Sequence, residues 1–356
     1  MRLGLIIAAA TVYLAVLGCV IFPSQSNGKS PPFENAATHA PLTGLPYKGI
    51  ALQIQRVDWI DEYKKSIDEI AAVGADTIEF VVDARQENGT SSRIYLDMRM
   101  TPTPDKLMEL MKYAKDKKLR VILMPIVLLD LPINNDWRGT IKPLDWEEWF
   151  NSYRDMITQF AYCAEETHAD VLVVGSELVS TQDKVHQWTQ TINTVRKIFK
   201  GQLTYSSNWD NYMQVPFWNQ LDLISMNSYW KLGNGKDATV AEIMRNWKDI
   251  QRDVLAFTQK QNKPLMFTEA GWCSLENAAS DPWDYTKDDL PVDLELQKRL
   301  YEGFFRSWYG NPALGGFMIW NWEPGDGGPN DKRYTPENKP AEKVLREWMA
   351  KPWGNK

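Results

Sequence analysis

The sequence predicts an α/β fold: a single (β/α)8 TIM barrel preceded by an export signal and a flexible tether. Three observations carry this. Short, nearly continuous apolar runs recur eight times between residues 49 and 322, as parallel strands buried on both faces require. Amphipathic stretches of helical length separate almost all of them. No short repeat or low-complexity tract competes with that alternation. At 356 residues the chain could hold two ordinary domains, but α/β barrels pass about 250 residues as one unit.

Residues 1–22 form the first segment. Arg2 precedes an apolar run from Leu3 to Leu17, then Gly18-Cys19 and further apolar residues to Phe22, the pattern of an export signal. Counted through to Phe22, the run reaches the roughly 20 residues of an uncleaved membrane anchor. Val16-Leu17-Gly18-Cys19 resembles the bacterial lipoprotein cleavage box, which implies a lipidated Cys19 at the start of the mature protein. Either way, the rest of the chain is expected outside the cytoplasm, in the cell envelope or secreted. Residues 23–46 turn to Ser, Asn, Pro, Gly and Thr, the composition of a tether. The folded domain, 47–356, then begins near Tyr47.

Strands are expected at 49–55, 77–83, 120–128, 171–177, 203–207, 223–228, 265–270 and 316–322, with helices at 59–73, 104–118, 146–167, 182–199, 240–260, 292–309 and 340–350. Thr103-Pro104 marks one helix start, and Asp145 with Glu148 three residues on marks another as a capping box would. The connection at 209–221 is too short for a full helix.

Composition narrows the function. Forty Lys and Arg against 46 Asp and Glu leave a net charge of −6 with no basic run, which argues against nucleic acid as a partner. Cys19, Cys163 and Cys273, with His39, His168 and His186, are too scattered for a disulfide framework or a metal-ligand cluster. No metal or cofactor is expected. Gly325-Asp326-Gly327-Gly328-Pro329 lacks a nearby helix start that could bind phosphate. By contrast, 16 Trp and 14 Tyr suit stacking on sugar rings.

A barrel places its chemistry at the C-terminal ends of the strands. There the fourth strand ends in Glu177, sharing a face with Val173, and the seventh ends in Glu269, sharing a face with Leu265 and Phe267. Acids that terminate apolar strands are costly to bury and point to a cleft. Standing three strands apart, the two are expected to face each other across the mouth. Two opposed carboxyls are the minimum apparatus for breaking a glycosidic bond, one donating a proton and the other attacking or activating water. Glu79, Asp83, Asp210 and Glu323 are weaker candidates. Trp59, Trp209, Trp230, Trp272, Trp320 and Trp322 also fall at or near strand ends, as platforms in a glycan groove would.

The motifs Gly175-Ser176-Glu177-Leu178, Phe267-Thr268-Glu269-Ala270-Gly271-Trp272, Asn227-Ser228-Tyr229-Trp230 and Trp320-Asn321-Trp322-Glu323 resemble the retaining β-glycosidases of glycoside hydrolase clan A, most closely family 113, whose characterised members are β-mannanases. The resemblance spans the whole domain from about Tyr47. It implies Glu177 as acid/base, Glu269 as nucleophile, Tyr229 as a hydrogen-bond donor to the nucleophile and Arg85 as the cation holding it ionised. Trp320 would be the floor beneath the reacting sugar, with Trp322 the alternative. Ser176 departs from the clan pattern, which has Asn there to bind the sugar 2-hydroxyl; Asn208 or Asn227 could substitute. Trp209 and Trp272 would complete the substrate contacts. The expected partner is a polysaccharide or oligosaccharide, with β-mannan favoured. The protein is expected to be a monomer that meets the membrane only through its N-terminal lipid or anchor. The alternative is a surface lipoprotein that binds glycan on the same barrel without cleaving it. Loops 129–144 and 271–290 are expected to shape specificity.

Overall fold

The computed structural model describes residues 44–354 apart from 288 and 326; the export signal, Cys19 and most of the tether lie outside the described residues. In chain order the strands are β1 (Tyr47–Ile54), β2 (Thr77–Gln86), β3 (Ile94–Tyr95), β4 (Arg120–Leu129), β5 (Val171–Ser176), β6 (Gln202–Ser207), β7 (Ile224–Asn227), β8 (Leu265–Ala270) and β9 (Leu314–Trp322). Eight of them run parallel and close into a barrel, because β1 pairs with both β9 and β2. β3 is a two-residue antiparallel addition to the end of β2.

The helices are α1 (Ile60–Val73), α2 (Pro104–Asp116), α3 (Trp146–Glu166), α4 (Val185–Ile198), α5 (Val240–Gln261), α6 (Leu294–Trp308) and α7 (Pro340–Met349). Local chemistry sets their ends. Pro104 opens α2 at its first turn, where its missing N–H goes unneeded. The Asp145 carboxylate accepts from the backbone N–H groups of Glu147 and Glu148 at 2.8 and 3.0 Å, capping α3. Between β6 and β7 the chain makes only two single turns, Tyr212–Gln214 and Trp218–Gln220, as the short connection requires.

Two cores follow from strand alternation. Outward-facing residues such as Leu172, Val174, Leu265 and Phe267 pack against the helices, together with Trp188, Trp247, Trp308 and other fully buried aromatics. Inward-facing residues, among them Val81, Ile122, Met124, Val171, Val173, Met266 and Met318, fill the barrel. Towards β6–β8 the interior turns polar, with Thr204 bonded to Ser225 at 2.7 Å and Ser206 to Thr268 at 2.6 Å.

Candidate active site

The two glutamates reach the barrel mouth by different local routes, each with an extra residue in its strand. On β8, Phe267 pairs with Met226 and Glu269 with the next residue, Asn227, so Thr268 is the extra residue; the pairing with β9 gains a residue over the same stretch. Strict alternation would put Glu269 with Leu265 and Phe267, which face the helices. The bulge re-aims it inward. The face expected for Glu269 was therefore wrong in its reason, and irregular pairing restores the inward direction. On β5, Val173 pairs with Thr204 and Ser176 with Ser206, again one residue too many. Gly175 permits this, since a Cβ there would lie 2.7 Å from the Trp188 ring and 3.0 Å from Tyr205. Glu177 then takes a left-handed backbone with φ 56°, a conformation that non-glycine residues adopt rarely and that recurs at functional sites.

Both side chains are buried, Glu177 at 7% and Glu269 at 3% exposure. The end of β7 serves both: Asn227 Nδ2 donates to Glu177 Oε1, and the Tyr229 hydroxyl donates to Glu269 Oε2 at 2.7 Å. Glu177 Oε2 forms an ion pair with Arg138, which stands in a short turn, Arg138–Thr140, of the loop after β4. Burial pushes the Glu269 carboxyl up from the usual range, and the negative charge of Glu177 adds to the rise, while Arg138 and the Tyr229 hydroxyl oppose it. Glu269 Oε1 and Ser176 Oγ are buried without a protein partner, as are Asn208 Oδ1 and Asn321 Oδ1.

Several expected site residues stand elsewhere. Arg85 forms ion pairs with Asp83 at 2.6 Å and Asp130 at 3.1 Å, and the cation beside the glutamates is Arg138. Register on β2 explains this, because Asp83 sits on the same inward row two residues away. Trp272 is fully buried against Tyr301 and Phe304 of α6, and Trp322 donates its indole N–H to Glu69 of α1 at 3.0 Å; both belong to the helical layer and neither lines the cleft. Trp320 belongs to the inner cluster and is 9% exposed. Asn208 follows β6, and the Trp209 backbone N–H donates to Asn227 Oδ1 at 2.8 Å. Trp209 also stacks on Trp283, with ring centroids 6.0 Å apart and planes at 22°. Trp283 is 46% exposed. Neither Trp283 nor Arg138 was singled out in the sequence; an aromatic and a cation in the two long loops after strands were the available signal.

A closed α/β barrel with two buried glutamates at the C-terminal mouth is the architecture of a glycoside hydrolase. The chain belongs to glycoside hydrolase family 113, whose model matches residues 51–339. Among solved structures, it is similar to a family 113 β-1,4-mannanase with 25% identity, covering 86% of this chain and 99% of that one at a TM-score of 0.78. It is also similar to the family 113 β-mannanase of Alicyclobacillus acidocaldarius, with 26% identity, 86% and 98% coverage and a TM-score of 0.77. A Faecalibacterium prausnitzii β-glucuronidase shares the fold at 13% identity, covering 87% of this chain and 49% of that one at a TM-score of 0.59. No curated protein matches the sequence.

Proposed function

We propose that this glycosidase hydrolyses β-linked mannan with retention of configuration, Glu269 acting as nucleophile and Glu177 as acid/base. The observation that carries the reading is the shared end of β7, which hands a donor to each glutamate, Asn227 to Glu177 and Tyr229 to Glu269. In the first step Glu177 protonates the departing glycosidic oxygen while ionised Glu269 attacks the anomeric carbon. The sugar–oxygen bond breaks and a glycosyl-enzyme ester forms. In the second step Glu177, now ionised, takes a proton from water, which displaces Glu269. The Tyr229 hydrogen bond supports the charged form of the nucleophile.

The substrate reading rests on the mannanases named above and on the aromatic surfaces. Trp320 supports the role of floor for the reacting sugar, and Trp209 with Trp283 supports a platform for a sugar farther along the chain. Sugar hydroxyls would satisfy the unpartnered Ser176, Asn208 and Asn321 oxygens. The apolar run from Leu3 to Leu17, with Cys19 just beyond it, supports action outside the cytoplasm. The test is hydrolysis of a glycan panel with anomer-resolved products. We expect β-mannan to be cleaved with retention, Glu177→Ala and Glu269→Ala to abolish turnover, and azide to rescue Glu269→Ala as an inverted glycosyl azide. Wild-type activity in both variants would sink the assignment.

A further inference from the structure

The Lys339 side chain is fully buried, as lysine seldom is, and it stands just before Pro340, where α7 begins. A cation at a helix N-terminus opposes the helix dipole, so both its burial and its place need compensation. Three acceptors supply it, one for each N–H of the ammonium: Asp331 Oδ1 at 2.5 Å, Ser274 Oγ at 2.8 Å and the Arg333 carbonyl at 2.9 Å. Asp331 and Arg333 belong to the loop after β9, and Ser274 to the loop after β8. Ser274 Oγ in turn donates to the Asp331 carbonyl at 2.8 Å. Gln297 of α6 holds the same two loops together, donating to the carbonyls of Trp272 and Tyr334 at 2.9 and 3.1 Å.

Both loops reach the cleft through Tyr334, which follows Arg333 and lies in the inner cluster with Tyr229 and Trp320. Its ring centroid stands 6.1 Å from that of Tyr229, whose hydroxyl donates to Glu269. Its own hydroxyl donates to the Pro282 carbonyl at 2.9 Å, next in sequence to Trp283. We propose that Lys339 is a positioning residue for the cleft: its ammonium pins the loop after β9 to the loop after β8, and through Tyr334 it sets Tyr229 beside Glu269 and Trp283 against Trp209. The bonds of the ammonium all go to these two loops, so its effect on the reaction passes through the residues they carry. The inference rests on the proposed roles of Glu269 as nucleophile and Trp283 as a sugar platform.

The test compares the full chain with Lys339→Met, which keeps the stem and removes the charge, and with Ser274→Ala, which removes one acceptor and keeps the ion pair. Amide hydrogen exchange is read without substrate. In Lys339→Met, exchange over residues 274–285 and 331–335 should rise about tenfold or more, the loss of one charged hydrogen bond, while the barrel strands keep their protection. Kinetics are read on polymeric mannan and on a short aryl mannoside. The displaced Tyr229 should lower kcat on both by about 10- to 100-fold, and the displaced Trp283 should raise KM about two- to tenfold on the polymer only. Ser274→Ala should show the same pattern more weakly. A merely structural lysine would lower Tm and leave kcat and KM of the folded enzyme as they were. Unchanged exchange in both loops overturns the proposal, as do released loops with wild-type kcat and KM, or a barrel that loosens throughout in both variants. A wild type that cleaves no glycan, with both loops released in Lys339→Met, counts against the proposed function and supports the pin.

Discussion

The Tyr229 hydroxyl donates to Glu269 Oε2 at 2.7 Å, and it comes from the same strand end whose Asn227 donates to Glu177. A donor to a charged acceptor contributes about 1.5–3 kcal/mol, and here it favours the ionised form of Glu269, the proposed nucleophile. Tyr229→Phe should therefore lower kcat by about 10- to 100-fold. Because the lost donor stabilised the carboxylate, the acid limb of the pH–rate profile should shift upward. A profile that keeps its acid limb would separate this bond from catalysis.

Gly175 holds the bulge that precedes Glu177. An added Cβ would lie 2.7 Å from Trp188, 3.0 Å from Tyr205 and 3.1 Å from the Tyr153 hydroxyl. Trp188 cannot yield easily, since it is fully buried and its indole N–H is bonded to Thr181. Gly175→Ala should destabilise the fold by about 1–3 kcal/mol in denaturant titration. It should also cut activity under conditions where the variant remains folded, because the bulge aims the glutamate. Lost stability with full activity would show that the aim of Glu177 does not depend on this packing.

The barrel itself was legible because most of its eight strands are short, nearly continuous apolar runs, and their ends fall within a few residues of those observed. Glu177 and Glu269 were legible as acids ending such strands. Side-chain direction at strand ends was not. Alternation misplaced Glu269, because the extra residue at Thr268 leaves no mark in the sequence. Trp272 turned outward for a related reason. It follows Gly271, whose backbone passes so close to the Trp320 carbonyl that a Cβ would strike it, and its own ring packs on Tyr301 and Phe304 of α6. Arg138 and Trp283 lie in loops that have no period to count from.

Trp283 provides a check on the extended cleft. Its ring is 46% exposed and stacked on Trp209, which is tied through Asn227 to Glu177. Trp283→Ala should raise KM for polymeric mannan about two- to tenfold, the effect of an aromatic contact of about 0.5–1.5 kcal/mol. The change on a short aryl glycoside should be several-fold smaller. Equal losses on both substrates would place Trp283 in the support of the fold and remove it from the platform.

Glu79 lies on the inward row of β2, fully buried, with both carboxyl oxygens unpartnered. Burial raises it well above the ordinary carboxylate range, and the charge of Glu269 adds to the rise. The unfolded chain ionises this group at about pH 4.3, while the folded chain keeps it neutral. Below the unfolded value both states hold the proton and nothing is lost. Above it the unfolded state is favoured by roughly 1.4 kcal/mol per pH unit until the folded group also ionises. Glu79→Gln removes the titration while keeping the shape, so its Tm advantage over the wild type should be small near pH 5 and grow towards pH 8. A difference that stays constant across that range would mean that Glu79 is paired or hydrated in solution, and that the barrel interior accommodates its charge.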